Sequence, residues 1–287
     1  MSGSLRDVLA ASDSPVMAPG AFDGASARLI DLSGFSAVYA SGGAISRAAG
    51  YPDIGLLDLT EVASRIANIV DATSLPVIAD AETGFGGCAN VQRTARIFEK
   101  IGVSAFHIED QKFPKRCGAL PGKSLISVDE MCNKIEVARE SVSSQTMVIA
   151  RTDSLDVEGL DSAVARSRRY MAAGADMLFV CSMKTANEFE RVGTEVPGPK
   201  LISNGSLEYG GKLPVSMPRA AELGYELIIA SNFTQRVALK AIQRALKVLR
   251  EDGHVGAIED DMITMAEREE ISATDRYFAL EWAVDPA

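Results

Sequence analysis

Eight short apolar runs, each followed by a stretch with helical spacing, constrain the fold of this chain. They are Pro15–Ala18, Ala37–Ala40, Pro76–Ala79, Ala105–Ile108, Met147–Ala150, Met177–Val180, Lys200–Ser203 and Leu227–Ala230. Runs of this length and character suit strands buried on both faces, as in a parallel sheet. Between them, helix formers recur at three- and four-residue spacing over Val91–Lys100, Asp129–Glu140, Asp161–Ala173 and Arg236–Arg250. Gly34, Gly102, Gly174 and Gly224 stand shortly before runs, where a helix would stop. Strands alternating with helices predict an α/β fold, a (β/α)8 TIM-type barrel. The alternative is a doubly wound open sheet. That fold wants a G-x-G-x-x-G turn after its first strand; Gly84-Phe85-Gly86-Gly87 follows the third and has the wrong spacing. Residues 1–287 read as one barrel domain, with 257–287 as a C-terminal helical extension.

Composition narrows the function. A net charge of -10 argues against nucleic-acid binding, which wants a basic face. No apolar run is long enough to span a bilayer, so no membrane role is expected. Cys88, Cys117, Cys132 and Cys181 form no Cys-x-x-Cys pair and suit neither a zinc module nor a disulfide framework. Met1–Asp7 lacks the layout of a signal peptide, and the expected compartment is a reducing cytoplasm.

In a barrel the chemistry lies at the C-terminal ends of the strands, so the polar residues just past each run can be pooled. Asp80, Glu82 and Glu109 supply hard oxygens suited to Mg²⁺ or Mn²⁺, and Asp53 adds an outer carboxylate. Ser41-Gly42-Gly43 offers close backbone N–H groups for a substrate carboxylate, and Arg151 can clamp a second one bidentately. Tyr39, in the second strand, is grouped with these substrate-binding residues. Lys115-Arg116-Cys117 sets a thiol beside two cations, which makes it easier to ionise. His107 reads as a core or supporting histidine, His254 as a surface one, and Cys88 and Cys132 as packing. The whole suggests a site that takes a small anionic substrate and moves a proton.

The stretch His107–Gly118, with Glu-Asp-Gln and then Lys-Arg-Cys-Gly, resembles the signature of the isocitrate lyase and phosphoenolpyruvate mutase superfamily. It is most similar to the lyase branch, which holds methylisocitrate lyase, dimethylmalate lyase and oxaloacetate hydrolase. The resemblance runs from about Pro19 to about Gly253 and implies Mg²⁺-dependent cleavage of a 2-hydroxy di- or tricarboxylate. Cys117 would be the general acid, with Lys115 and Arg116 beside it. The resemblance also implies a homo-oligomer, a tetramer or dimer with a terminal helix exchanged between subunits. Four positions depart from the pattern: Asp80-Ala81-Glu82 replaces Asp-Ala-Asp, Ala119 a histidine, and Cys181 a glutamate. Ser203–Glu208 carries its Asn and Glu at altered spacing. Two other readings stay open. One is a hydrolase or decarboxylase of a 2-oxo diacid such as oxaloacetate. The other is an inactive barrel that serves as a binding module.

Overall fold

The computed structural model describes residues 4–203 and 213–282. Two compact units are present, Met1–Phe233 and Thr234–Ala287. The first is a closed barrel of eight parallel strands in sequential order. The strands are β1 Val16–Ala21, β2 Val38–Ala40, β3 Val77–Asp80, β4 Ala105–Glu109, β5 Met147–Thr152, β6 Met177–Val180, β7 Lys200–Ser203 and β8 Tyr225–Ala230. β8 pairs with β1 through Val16–Leu227 to Pro19–Ala230 and closes the ring.

The helices between strands follow from amphipathic spacing and capping. Helix α1 (Leu5–Ala10) is opened by a Ser4–Asp7 capping box. It buries Leu5 and Leu9 in the same cluster as Ala105, Met147 and Met177 from the barrel interior. Helix α2 is Gly24–Leu32, α3 Gly42–Ala48, α4 Leu59–Ala72, α5 Cys88–Ile101, α6 Val128–Glu140, α7 Ser154–Glu158, α8 Leu160–Ala172 and α9 Ala186–Glu195. Helix α5 ends at Gly102, whose φ of 99° takes the left-handed cap that a glycine adopts without strain.

Strand side chains alternate between two cores, as a period of two requires. Ile78, Ala105, Met147, Ile149, Met177 and Phe179 fill the interior. Val77, Ala79, Phe106, Ile108, Val148 and Ala150 pack outward with the helices. Continued along each strand, this parity turns Asp80, Glu109, Arg151 and Cys181 into the barrel mouth. Three strands run past the end of their apolar stretch, through Asp80, through Glu109 and through Arg151-Thr152. Hydrophobicity alone stops them short, because charged residues are rarely buried. Here those residues are 7% exposed or less, which already marks them as a built site.

The second unit is helical. After the long helix Phe233–Asp252 come a 3₁₀ turn, Gly256–Asp261, and two helices, Met265–Ser272 and Thr274–Trp282. The helical extension expected from residue 257 onward is thus broken, the last break among the described residues falling at Ala273, with φ 54°. Among the described residues no helix is long and apolar enough to cross a membrane.

Candidate active site

Among the described residues, the barrel mouth gathers five buried carboxylates, with cations set between them. Asp80 closes β3. One of its oxygens accepts the Glu82 amide at 2.8 Å, which holds Glu82 in a turn with φ 53°. Burial works against the charge on Asp80, but His107 and the Lys115 and Arg151 cations hold it below the usual carboxylate range. His107 is itself pushed down to about 4 by burial, so at pH 7 it is neutral and the two cations carry that effect. The Tyr39 hydroxyl lies 2.8 Å from His107 Nε2 and 3.4 Å from Asp80 Oδ2. Tyr39, grouped from sequence with the substrate ligands, is 2% exposed and directed at Asp80 and His107.

Lys115 stands between Asp53 and Glu82 and makes an ion pair with each. It is buried with both of them, and removing one partner of such a group costs about 3–5 kcal/mol. Gly42 and Gly43 open α3 directly above these groups. A Cβ on Gly42 would stand 2.7 Å from both Asp80 Oδ2 and Glu82 Oε1, and one on Gly43 2.7 Å from Asp53 Oδ2. The two glycines therefore leave room for the carboxylates. Ser41 caps the helix, its hydroxyl accepting the Ala44 amide at 3.3 Å.

Glu109 and Arg151 are direct neighbours across β4 and β5. Arg151 donates from Nε and Nη2 to the two oxygens of Asp153, at 2.9 and 3.3 Å. Its Nη1 lies 2.9 Å from Glu109 Oε2, and its guanidinium centre is 5.2 Å from the Phe179 ring centroid. The residue expected to clamp a substrate carboxylate is thus already bidentate on Asp153. Glu109 receives no hydrogen bond on either oxygen. Burial pushes its carboxyl well above the ordinary value.

The second member of the Glu109-Asp110 pair turns the other way. Asp110 accepts from Thr152 Oγ1 at 2.7 Å, Tyr170 OH at 2.9 Å and the Asp153 amide at 3.0 Å. It ties β4 to β5 from behind and is not part of the mouth.

The loop after β4 brings Cys117 to the site, its amide donating to the Asp53 carbonyl at 3.0 Å. The cations beside it in sequence point elsewhere. Lys115 faces the carboxylates, and Arg116 donates to the loop's own Pro121 carbonyl at 2.9 Å. The guanidinium at the sulfur belongs to Arg47, whose Nη2 donates to Cys117 Sγ at 3.5 Å. Sequence reading missed Arg47 because it took Ser41-Gly42-Gly43 only for its backbone N–H groups and placed no helix there. A helix begun there sets Arg47 one turn on, over Gly43. Lys123, also missed, donates to the Gly118 carbonyl at 2.7 Å, to Asp153 at 3.1 Å and to Asp156 at 2.8 Å, anchoring the loop's far end.

A family model described as phosphoenolpyruvate phosphomutase matches residues 5–250. The chain belongs to the phosphoenolpyruvate mutase and isocitrate lyase superfamily. It is 36% identical to 2,3-dimethylmalate lyase of Eubacterium barkeri over 98% of this chain and 96% of that one. It is 39% identical to 2-methylisocitrate lyase of Halalkalibacterium halodurans over 92% of this chain and 87% of that one. Among solved structures, oxaloacetate acetylhydrolase bound to 3,3-difluorooxalacetate superposes with a TM-score of 0.89 at 29% identity, covering 99% and 96% of the two chains. Phosphonopyruvate hydrolase with oxalate and Mg²⁺ superposes with a TM-score of 0.84 at 27% identity, covering 96% and 97%. The chain is an enzyme, a lyase of this superfamily.

Among the described residues, no three His, Cys, Asp or Glu side chains are gathered closely enough to enclose a metal ion. Mg²⁺ does not ask for that. It keeps several waters and takes one or two carboxylates plus substrate oxygens. The buried, hydrogen-bond-free oxygens of Glu109 fit such a cation, and Asp80 adds a carboxylate held in its charged form. Asp53 and Glu82 are already paired with Lys115.

The points where this superfamily member departs from the lyase pattern differ in kind. Cys181 is buried, 3.7 Å from Arg151 Nη2 and against Gly118, where an added Cβ would stand 2.6 Å from its sulfur. Burial raises its thiol to about 12, so it stays uncharged. Ala119 is exposed. The altered Asn and Glu spacing within Ser203–Glu208 falls mostly outside the described residues.

Proposed function

We propose that this lyase cleaves a carbon–carbon bond in an alkylated 2-hydroxy dicarboxylate of the dimethylmalate kind, with Mg²⁺ or Mn²⁺ bound at Asp80 and Glu109. The observation that carries this reading is a half-buried thiol, Cys117, set at the edge of a buried carboxylate cluster and touched by a guanidinium. When bound, the cation would stabilise negative charge on the substrate's 2-oxygen. A base of the cluster takes the hydroxyl proton. The electron pair left on the oxygen forms the second C–O bond of a 2-oxo acid, and the C–C pair passes to the departing carbon. There it is delocalised into that carbon's carboxylate. Cys117 gives its S–H proton to this carbon, and exchange with solvent returns one proton to the thiolate and takes one from the base. Electrostatic stabilisation is usually the largest contribution in such sites.

Cys181 supports the choice of substrate. A neutral sulfur beside Arg151 replaces a carboxylate that would hold polar substrate groups, and its small volume leaves room for alkyl substituents. Each lost buried partner costs about 1–3 kcal/mol, so methylisocitrate is expected to be a poor substrate. The test is a screen of 2-hydroxy and 2-oxo di- and tricarboxylates with product identification. A kcat/KM on methylisocitrate of about 10⁴ M⁻¹s⁻¹ or above would overturn the substrate assignment, and A119H/C181E is expected to raise that value. Release of acetate and oxalate from oxaloacetate, in preference to any cleavage, would favour the hydrolase reading. No turnover of any of these acids would leave the binding-module reading.

The protein is proposed to be cytoplasmic, a compartment consistent with its free cysteines, and to act as a homo-oligomer. The C-terminal unit leaves Leu239, Ile242, Leu246, Ile263, Met265 and Tyr277 more than half exposed. A second copy covering them would remove a patch rarely tolerated on monomers. Sedimentation of the whole chain as a monomer at micromolar concentration would end this proposal.

A further inference from the structure

Among the described residues, four cations border the carboxylate cluster, and three are committed inside it. The side chains of Lys115 and Lys123 are each 2% exposed and that of Arg151 8%, and each lies on two carboxylates. Arg47 differs. Its side chain is 36% exposed, and its closest carboxylate contact is Asp53 Oδ2 at 4.0 Å. Its shorter contacts are with neutral groups: Nη1 donates to the Gly43 carbonyl at 2.9 Å and to Asn232 Oδ1 at 3.3 Å, and Nη2 to Cys117 Sγ at 3.5 Å. These contacts fix the guanidinium at the mouth, between α3, the end of β8 and the thiol.

We infer that Arg47 is a catalytic residue that binds the carboxylate on the carbon Cys117 protonates. This inference rests on the lyase reading above. In that reaction the electron pair released by C–C cleavage is shared between the departing carbon and its own carboxylate. The carboxylate is one bond from the atom that receives the proton, so it must lie close to Cys117 Sγ. The cation at that sulfur is Arg47. A planar guanidinium there pairs with the carboxylate in the substrate, and pairs more strongly as the second negative charge develops during cleavage. It also stabilises the thiolate left when the proton moves. Arg151, bidentate on Asp153, has little donor capacity left for this task.

The experiment is calorimetric titration of the whole protein with Mg²⁺, unaltered and as R47M and R47K. Oxalate is titrated first, as a mimic of the 2-oxo acid fragment. Acetate, propionate and succinate follow at saturating oxalate, as mimics of the departing fragment. R47M is expected to weaken the best-bound of these carboxylates by about tenfold or more, with R47K intermediate. Oxalate affinity should stay within about twofold, which also reports that the site remains folded. Oxalate binding with no carboxylate binding to the unaltered protein overturns the inference, as does carboxylate binding indifferent to R47M. An equal loss of both ligands in R47M and R47K assigns Arg47 a structural role and overturns it too. Failure of oxalate to bind the unaltered protein overturns the lyase reading, and this inference with it.

Discussion

Cys117→Ser is expected to lower kcat by about 10²–10⁴-fold, the range that positioned proton donors contribute. The exchange changes one atom in a half-buried side chain, and the loop around it is fixed by other groups. The amide of residue 117 still donates to the Asp53 carbonyl, Lys115 still bridges Asp53 and Glu82, and Lys123 still holds the Gly118 carbonyl. The melting temperature should therefore move little. A serine hydroxyl accepts a hydrogen bond from Arg47 as the sulfur does, but it gives up its proton far less readily near pH 7. Cleavage and protonation then separate, and the carbanion must find its proton elsewhere. Single turnovers in deuterated water would show the slowed step as reduced transfer of hydrogen to the carboxylate product. Turnover within about threefold of the unaltered enzyme would place the proton donor on another residue.

The barrel itself is readable from the sequence because parallel strands covered on both sides must be apolar throughout, and eight such runs leave little choice. What hydrophobicity alone misses is the last residue or two of β3, β4 and β5. The chain there is still strand, but its side chains are Asp80, Glu109 and Arg151, buried against the usual rule. Pooling strand-end residues found most of the site, Glu109 included, and strand parity turns its neighbour Asp110 the other way. Adjacent letters misled at Lys115-Arg116-Cys117. Three consecutive residues in an irregular loop need not share a direction, and here the thiol meets a cation 70 positions earlier in the chain. Only the helix that starts at Gly42 explains that meeting, and two glycines at a helix start are a weak helix signal. Arg151 shows the remaining gap. Its place at a strand end was clear, but whether it faces substrate or Asp153 depends on a hydrogen bond that no spacing rule specifies.

Removal of divalent metal is expected to abolish turnover, and Mg²⁺ or Mn²⁺ to restore it. The reason lies in the charge arrangement of the mouth. Lys115 serves Asp53 and Glu82, Lys123 serves Asp153 and Asp156, Arg151 is shared between Asp153 and Glu109, and Arg47 sits at the rim. Glu109 is left fully buried with no hydrogen bond on either oxygen, next to an arginine already engaged by Asp153. Without a cation, burial pushes that carboxyl well above its ordinary value and works against its charge. With one, its charge and that of Asp80 are both satisfied. A ligand that binds only the folded state stabilises it by about 2.7 kcal/mol at a hundred times its dissociation constant. Mg²⁺ should therefore raise the melting temperature of the EDTA-treated protein by several degrees, and the E109Q variant, which replaces this carboxylate with a neutral amide, should lose most of that rise. Because the donors are all hard oxygens, Mg²⁺ and Mn²⁺ should both restore turnover, while a thiol-seeking metal such as Cd²⁺ should instead inhibit by reaching Cys117. Full turnover in a sample shown free of metal by elemental analysis would remove the cation from this site.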